Sequence, residues 1–144
     1  MYYCFQEERC VMRELEERYL AYINEKIAEH DNLHKQYKAD DRKDEANLEK
    51  IKINIYEIFK TLFINDIKQL QGKNLENIKD INIYGGYLLR FDTIPVNWKK
   101  SLSMAKEHGD IVKQVIEECK LAVADELKEK FLEMFNELGR EIND

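Results

Sequence analysis

Two histidines four residues apart are the strongest candidates for chemistry in this sequence. His30 and His34 share one face of a predicted helix, because side chains at i and i+4 are neighbours there. Imidazole nitrogens bind divalent transition metals, and Asp31 or a carboxylate from another helix would complete such a site. A simpler interpretation needs no metal, because a histidine near a helix C-terminus suits the helix dipole and the surrounding sequence is polar. We favour this interpretation and predict that the chain has no metal-ligating or cofactor-binding residues.

No residue pattern typical of catalysis is present. The chain has two serines, Ser101 and Ser103, and no Gly-x-Ser-x-Gly elbow. The Glu-x-x-His pairs of di-iron bundles and the His-Glu-x-x-His motif of zinc proteases are both missing. Gly85-Gly86 lacks the Lys-Ser/Thr pair of a phosphate-binding loop. We expect no catalytic residues.

The remaining conspicuous side chains are typical of ordinary helix packing. Cys119 lies on a predicted apolar face, where a free cysteine behaves as a small buried hydrophobe. Trp98 falls on an apolar stripe, which favours the core over a partner-binding anchor. Glu117 and Glu118 are predicted to lie on a solvated helix face, since paired carboxylates do acid–base work only in a dry pocket.

Composition restricts the class of protein. The 144 residues include one proline and five glycines, and 36% of them are charged; with periodic apolar residues this indicates amphipathic helices. A net charge of −6 disfavours binding to nucleic acid or to an anionic membrane. No apolar run approaches the ~18 residues of a membrane span, and Glu7, Glu8 and Arg9 interrupt any signal-peptide core. We expect a cytoplasmic protein.

The first eleven residues differ in character from the rest of the chain. Met12 begins a clean amphipathic pattern, whereas residues 1–11 do not share it. We expect one helical domain over residues 1–144, in which residues 1–11 are a flexible or non-native extension and Met12 is the natural start.

Two long helices are predicted before residue 72. Apolar residues with a spacing of three and four indicate helix 1 from about residue 8 to the mid-thirties. Residues 38–45 have almost no apolar anchor, and their aspartates suit a helix N-cap. This segment is predicted to be a turn, with one continuous helix as the alternative. Helix 2 covers about residues 44–71, and its main apolar face consists of Leu48, Ile51, Ile55, Ile58, Phe59, Leu62, Phe63 and Leu70.

Helix 2 is predicted to be central. Ile53, Ile64 and Ile67 widen its apolar arc beyond half of the circumference, so that it should contact several neighbours. Gly72 is expected to be its C′ residue. Residues 74–92 fit either a helix, with Gly85-Gly86 packed closely on helix 2, or a hairpin with the two glycines as its turn. We favour the helix.

Two further helices complete the chain. Thr93 or Ile94 is expected to cap helix 4, with Pro95 in its first turn. Gly109 ends that helix, and Asp110 caps helix 5, which covers about residues 110–141. The predicted core stripe of helix 5 consists of Val112, Ile116, Cys119, Val123, Leu127, Phe131, Met134 and Leu138.

These elements predict an all-α fold, a four- or five-helix bundle with long, roughly antiparallel helices 1, 2 and 5. The wide apolar arc of helix 2 and the lack of a catalytic pattern favour a non-enzymatic helical interaction or regulatory module. Its partner would be another protein or a second copy of the chain, as a homodimer. A small-molecule or metal-binding bundle is the alternative hypothesis, and an enzyme of unrecognised mechanism is the third.

Overall fold

The protein is an all-α helical bundle. A computed structural model describes residues 2–71 and 84–143, with side chains for residues 12–70 and 84–140. Helix 1, predicted from about residue 8, begins at Tyr2. Within the described residues the helices are α1 (Tyr2–Ala39), α2 (Lys43–Gln71), α3 (Gly85–Thr93), α4 (Val96–His108) and α5 (Ile111–Asn143).

The three long helices α1, α2 and α5 pack against one another. Tyr22 of α1 and Tyr56 of α2 both reach Glu126 of α5, and Tyr19 and Phe63 both pack near Phe131. These contacts make α1 antiparallel to both α2 and α5. As predicted, α2 is central, because it contacts α1, α3 and α5.

An aromatic core fills the half of the bundle that contains the C-terminal end of α2. Tyr19 lies edge-on to Phe63, with ring centroids 4.9 Å apart, and Phe59 stacks on Phe91 at 4.7 Å. Edge-to-face and offset pairs of this kind stabilise beyond the area they bury. The short helix α3 supplies two of the rings, so its role is to close this core. The aromatic members of the core are Tyr19, Tyr56, Phe59, Phe63, Tyr84, Tyr87, Phe91 and Phe131.

The turn between α1 and α2 confirms the predicted helical hairpin and excludes one continuous helix. Asp41 has a φ of 58°, in the left-handed region that glycine normally occupies after a helix. Its N–H donates to the Lys38 carbonyl, and the Arg42 N–H donates to the Tyr37 carbonyl at 2.8 Å. The predicted aspartate cap of α2 is wrong, since Arg42 directly precedes that helix.

The α4–α5 turn uses the same backbone motif with a glycine. Gly109 has a φ of 68°, and the Asp110 N–H donates to the Ala105 carbonyl at 2.9 Å. Asp110 then caps α5 as predicted, because its Oδ1 accepts from the Lys113 N–H at 3.1 Å. Pro95 directly precedes α4 rather than lying in its first turn.

The hairpin alternative for residues 74–92 is wrong wherever the structure describes that segment. Gly85 and Gly86 form the first turn of α3, and Tyr84 directly precedes it. The close packing expected at these glycines is also wrong, because a Cβ at either position would meet no atom of α2 or of another described helix within 4 Å. Residues 74–83, and Gly72 as the C′ residue of α2, lie outside the described residues.

Two predicted core residues are exposed. Ile58 of α2 is 41% exposed and Val112 of α5 is 72% exposed. Ile58 lies at the edge of the apolar arc of α2, and that arc is wider than the surface that the neighbouring helices cover. Val112 lies one turn before Ile116, which is partly buried, and the first apolar residue of α5 that is fully buried is Val123.

Candidate functional site

The histidine pair faces α2. The His34 Nδ1–H donates to the backbone carbonyl of Ala46 at 2.8 Å, and His30 Nδ1 lies 2.5 Å from Oε2 of Glu49. The His30 ring also stacks on Tyr56, with centroids 5.5 Å apart. These contacts attach the C-terminal half of α1 to the N-terminal half of α2, so the pair is less solvated than its polar sequence surroundings indicate.

Glu49 is the buried charge of this region. It is only 5% exposed, and Lys52 Nζ lies 3.1 Å from its second oxygen. A carboxylate removed from water requires such partners, because an unpaired buried charge is strongly destabilising. Cys119 of α5 is half-buried nearby. Burial raises the pKa of its thiol, which keeps the thiol protonated and unreactive at neutral pH.

A second polar cluster joins all three long helices. Both oxygens of the Glu126 carboxylate on α5 accept hydrogen bonds: one from the hydroxyl of Tyr22 on α1, the other from Tyr56 on α2 at 2.8 Å. Lys130 Nζ lies 5.3 Å from the centre of the Tyr22 ring. Hydrogen bonds to a charged acceptor are about twice as strong as neutral ones, so this cluster fixes the relative positions of the helices.

Two buried phenols meet beneath that cluster. The hydroxyl oxygens of Tyr19 and Tyr87 lie 2.5 Å apart, and Tyr19 donates to the Leu127 carbonyl at 3.2 Å. Since Tyr19 has one proton to give, Tyr87 donates to Tyr19. Burial raises the pKa of both hydroxyls, and it raises the pKa of Tyr19 well above the ordinary value of a phenol. They therefore act as neutral hydrogen-bonding groups of the core.

Glu117 corrects the expectation of a solvated acidic face. Glu118 is exposed, but Glu117 is only 5% exposed. Gln114 Nε2 donates to the Ala105 carbonyl at 3.4 Å, so the side of α5 that carries Gln114 faces α4. Glu117 follows Gln114 by three residues and therefore lies on the same side. Lys120 Nζ lies 3.3 Å from Glu117 Oε1 and 6.0 Å from the half-buried Trp98 ring. In the described part of the chain, Glu117 Oε2 has no hydrogen-bond partner.

The first two turns of α5 carry an exposed aliphatic surface. Ile111, Val112 and Val115 are 70%, 72% and 43% exposed. Val115 lies three residues after Val112 and four after Ile111, so it neighbours both side chains on the helix. We call these three residues the α5 apolar face. Lys113 and Glu118 beside it are exposed and carry both signs of charge.

Neither a three-residue metal cluster nor a membrane-crossing helix occurs in the described part of the chain. Within residues 12–70 and 84–140, no three or more histidine, cysteine, aspartate and glutamate side chains converge as a metal site. No described helix has both the length and the apolar character required to cross a membrane.

Comparisons with known proteins add no relative. No family model matches this chain, and no curated protein and no solved structure matches it.

Sequence reasoning brought out the histidine pair but not its environment. Glu49, Tyr56 and Phe63 recur every seven residues and therefore lie on one face of α2. A glutamate on the same helix face as aromatic core residues indicates a buried charge. A buried charge in turn indicates that neighbouring residues, here His30 and Lys52, act as its partners. The sequence held no comparable signal for Glu126, because its tyrosine partners come from two other helices.

Proposed function

We propose that this protein is a non-enzymatic helical interaction module, which binds another protein through the α5 apolar face. The observation that carries the proposal is the exposure of Ile111, Val112 and Val115 together on two turns of one helix. Single exposed apolar residues are normal on a protein surface, whereas contiguous ones are typical of binding sites. An amphipathic helix binds a groove with anchors at this kind of spacing.

The size of this face favours a different protein over a second copy of the chain. A stable dimer buries about 800 Å² per partner and involves roughly 20–30 residues on each side. Three aliphatic anchors on two helical turns fall well short of that. They are sufficient for a helix that inserts its first turns into an apolar groove of a partner.

Charge supports the same class of partner. The net charge of −6 disfavours nucleic acid and anionic lipid as ligands, and the exposed charges next to the face have both signs. An apolar protein surface with a polar rim fits this arrangement. A cytoplasmic location is part of the proposal.

Capture from cells of the source organism tests the proposal with three forms of the protein. The first is the wild type, and the second is the double variant Ile111→Asp/Val112→Asp, which removes the face. Aspartate in the first turn of a helix favours the dipole, so this variant should keep its fold. The third is Leu89→Asp, a matched control, because Leu89 is 58% exposed but lies on α3.

The proposal predicts one protein that binds stoichiometrically to the wild type and to Leu89→Asp and is lost with the double variant. Equal capture by all three forms, or no stoichiometric partner, would contradict it. If the double variant instead dissociates a homodimer in light-scattering measurements, the partner is a second copy and the assignment to a different protein is wrong.

A further inference from the structure

The histidine pair of α1 can act independently of the α5 apolar face. From its surroundings we infer that His30 and His34 chelate a divalent first-row transition metal ion through Nε2 of both imidazole rings. Imidazole suits zinc, copper and nickel ions. The four-residue spacing is the one with which a single helix supplies two zinc ligands in the His-Glu-x-x-His proteases.

The hydrogen bonds of both rings are those of metal-ligating histidines. Such a histidine almost always donates its other ring N–H to a carboxylate or to a backbone carbonyl. Here His30 Nδ1 faces the Glu49 carboxylate at 2.5 Å, and His34 Nδ1 faces the Ala46 carbonyl at 2.8 Å. A carbonyl can only accept, so the His34 proton is on Nδ1. In the neutral ring the lone pair is then on Nε2.

Both Nε2 atoms are directed away from the α2 atoms that contact the two rings, and both residues are partly exposed. Nδ1 and Nε2 are separated by one ring carbon and their outward directions diverge widely, so each Nε2 is directed away from the α2 atom that binds its Nδ1. The His34 residue is partly exposed as well as His30. The His30 side chain is 15% exposed.

The neighbouring carboxylates support the two rings and are not ligands themselves. Glu49 is held by His30 and by Lys52 at 3.1 Å, and Asp31 pairs with Lys35 at 3.0 Å. The site therefore provides two protein nitrogens, and water completes the tetrahedral coordination that zinc prefers. A bound cation would also strengthen the hydrogen bond from His30 to Glu49, which is buried with a negative charge.

Zinc titration by calorimetry tests the inference with variants that separate the two ring nitrogens. His30→Asn and His34→Asn each keep an N–H close to the position of Nδ1 and delete Nε2. The wild type should bind one equivalent of Zn²⁺, and each asparagine variant should bind more than about tenfold more weakly. The melting temperature of His34→Asn without zinc should hardly change, which distinguishes a lost ligand from a lost packing contact, whereas His30→Asn also loses the ring that stacks on Tyr56. His108→Asn is the control, since His108 is the exposed last residue of α4.

A supporting variant acts through Glu49. Glu49→Gln keeps a hydrogen-bond acceptor for His30 but removes the charge, and loss of such a second partner weakens metal binding about 10–100-fold. Absence of one-equivalent binding by the wild type overturns the inference. Undiminished binding by the His30→Asn/His34→Asn double variant, or loss of binding with His108→Asn, also overturns it.

Discussion

At the scale of single residues, Asp41 holds a backbone conformation that suits glycine better. The left-handed region costs an L-residue roughly 1–2 kcal/mol, with aspartate among the better-tolerated types. The equivalent position after α4 is a glycine, Gly109. We predict that Asp41→Gly raises the free energy of unfolding by about 0.5–1 kcal/mol, measured by urea denaturation. Asp40→Gly is the control and should give no gain; equal gains would show that the left-handed φ is not the cause.

Glu126 is the residue through which the three long helices are hydrogen-bonded. Tyr56→Phe should reduce the free energy of unfolding by about 1.5–3 kcal/mol, the range for hydrogen bonds to charged groups, because the carboxylate loses one of its two phenol donors. Tyr37→Phe serves as the control: that ring lies at the exposed turn beneath Arg42, and the substitution should cost less than about 0.5 kcal/mol. Similar losses in both variants would mean that Glu126 has no special role.

At the scale of elements, α5 shows where apolar periodicity stops being informative. The stripe from Val112 to Leu138 is continuous in sequence, but Val112 is exposed while Val123 is 4% exposed. Periodicity identifies the face of a helix, and it does not show how far the neighbouring helices extend along that face. The α1–α2 turn was located from its polar residues and the α4–α5 turn from Gly109 and Asp110, yet nothing in the sequence distinguished Asp41 as the left-handed residue.

The end of the packed stripe can be tested with one substitution at two places. Val112→Asp should change the free energy of unfolding by less than about 0.5 kcal/mol, as exposed substitutions usually do. Val123→Asp places an unpaired charge in the core and should cost more than about 3 kcal/mol. Chemical denaturation of both variants measures the difference. A large loss at Val112 would show that the α5 apolar face is part of the fold rather than a free surface.

At the scale of the whole molecule, five buried or partly buried tyrosines make the free energy of unfolding depend on pH in the alkaline range. Burial is the largest cause that raises the pKa of each phenol, at Tyr19, Tyr22, Tyr56, Tyr84 and Tyr87. A group whose folded pKa lies above its unfolded value contributes stability that is complete below the unfolded value, about 10 for tyrosine. That stability is lost as the pH rises above it.

We therefore predict cooperative alkaline unfolding above about pH 10. Tyrosinate absorbance and the helical circular dichroism signal should change together, since these phenols ionise only when the core opens. Ionisation of all eight tyrosines before the helical signal is lost would contradict the buried positions of these five.

The sequence was sufficient for the all-α class, the helix order and the central place of α2, because each depends on local periodicity and on punctuation by Gly109 and Asp110. The contacts that form the polar clusters could not be predicted from the sequence. Tyr22, Tyr56 and Glu126 are brought together only by the packing of three helices. The α5 apolar face depends on a surface that neighbouring helices leave uncovered.

A native mass spectrum of the untagged protein, purified from its own host without chelator, tests the proposed function most directly. We predict a complex of one copy with a different protein, and we predict that the Ile111→Asp/Val112→Asp variant dissociates it. A bare monomer or a homodimer of the wild type would contradict the proposed function.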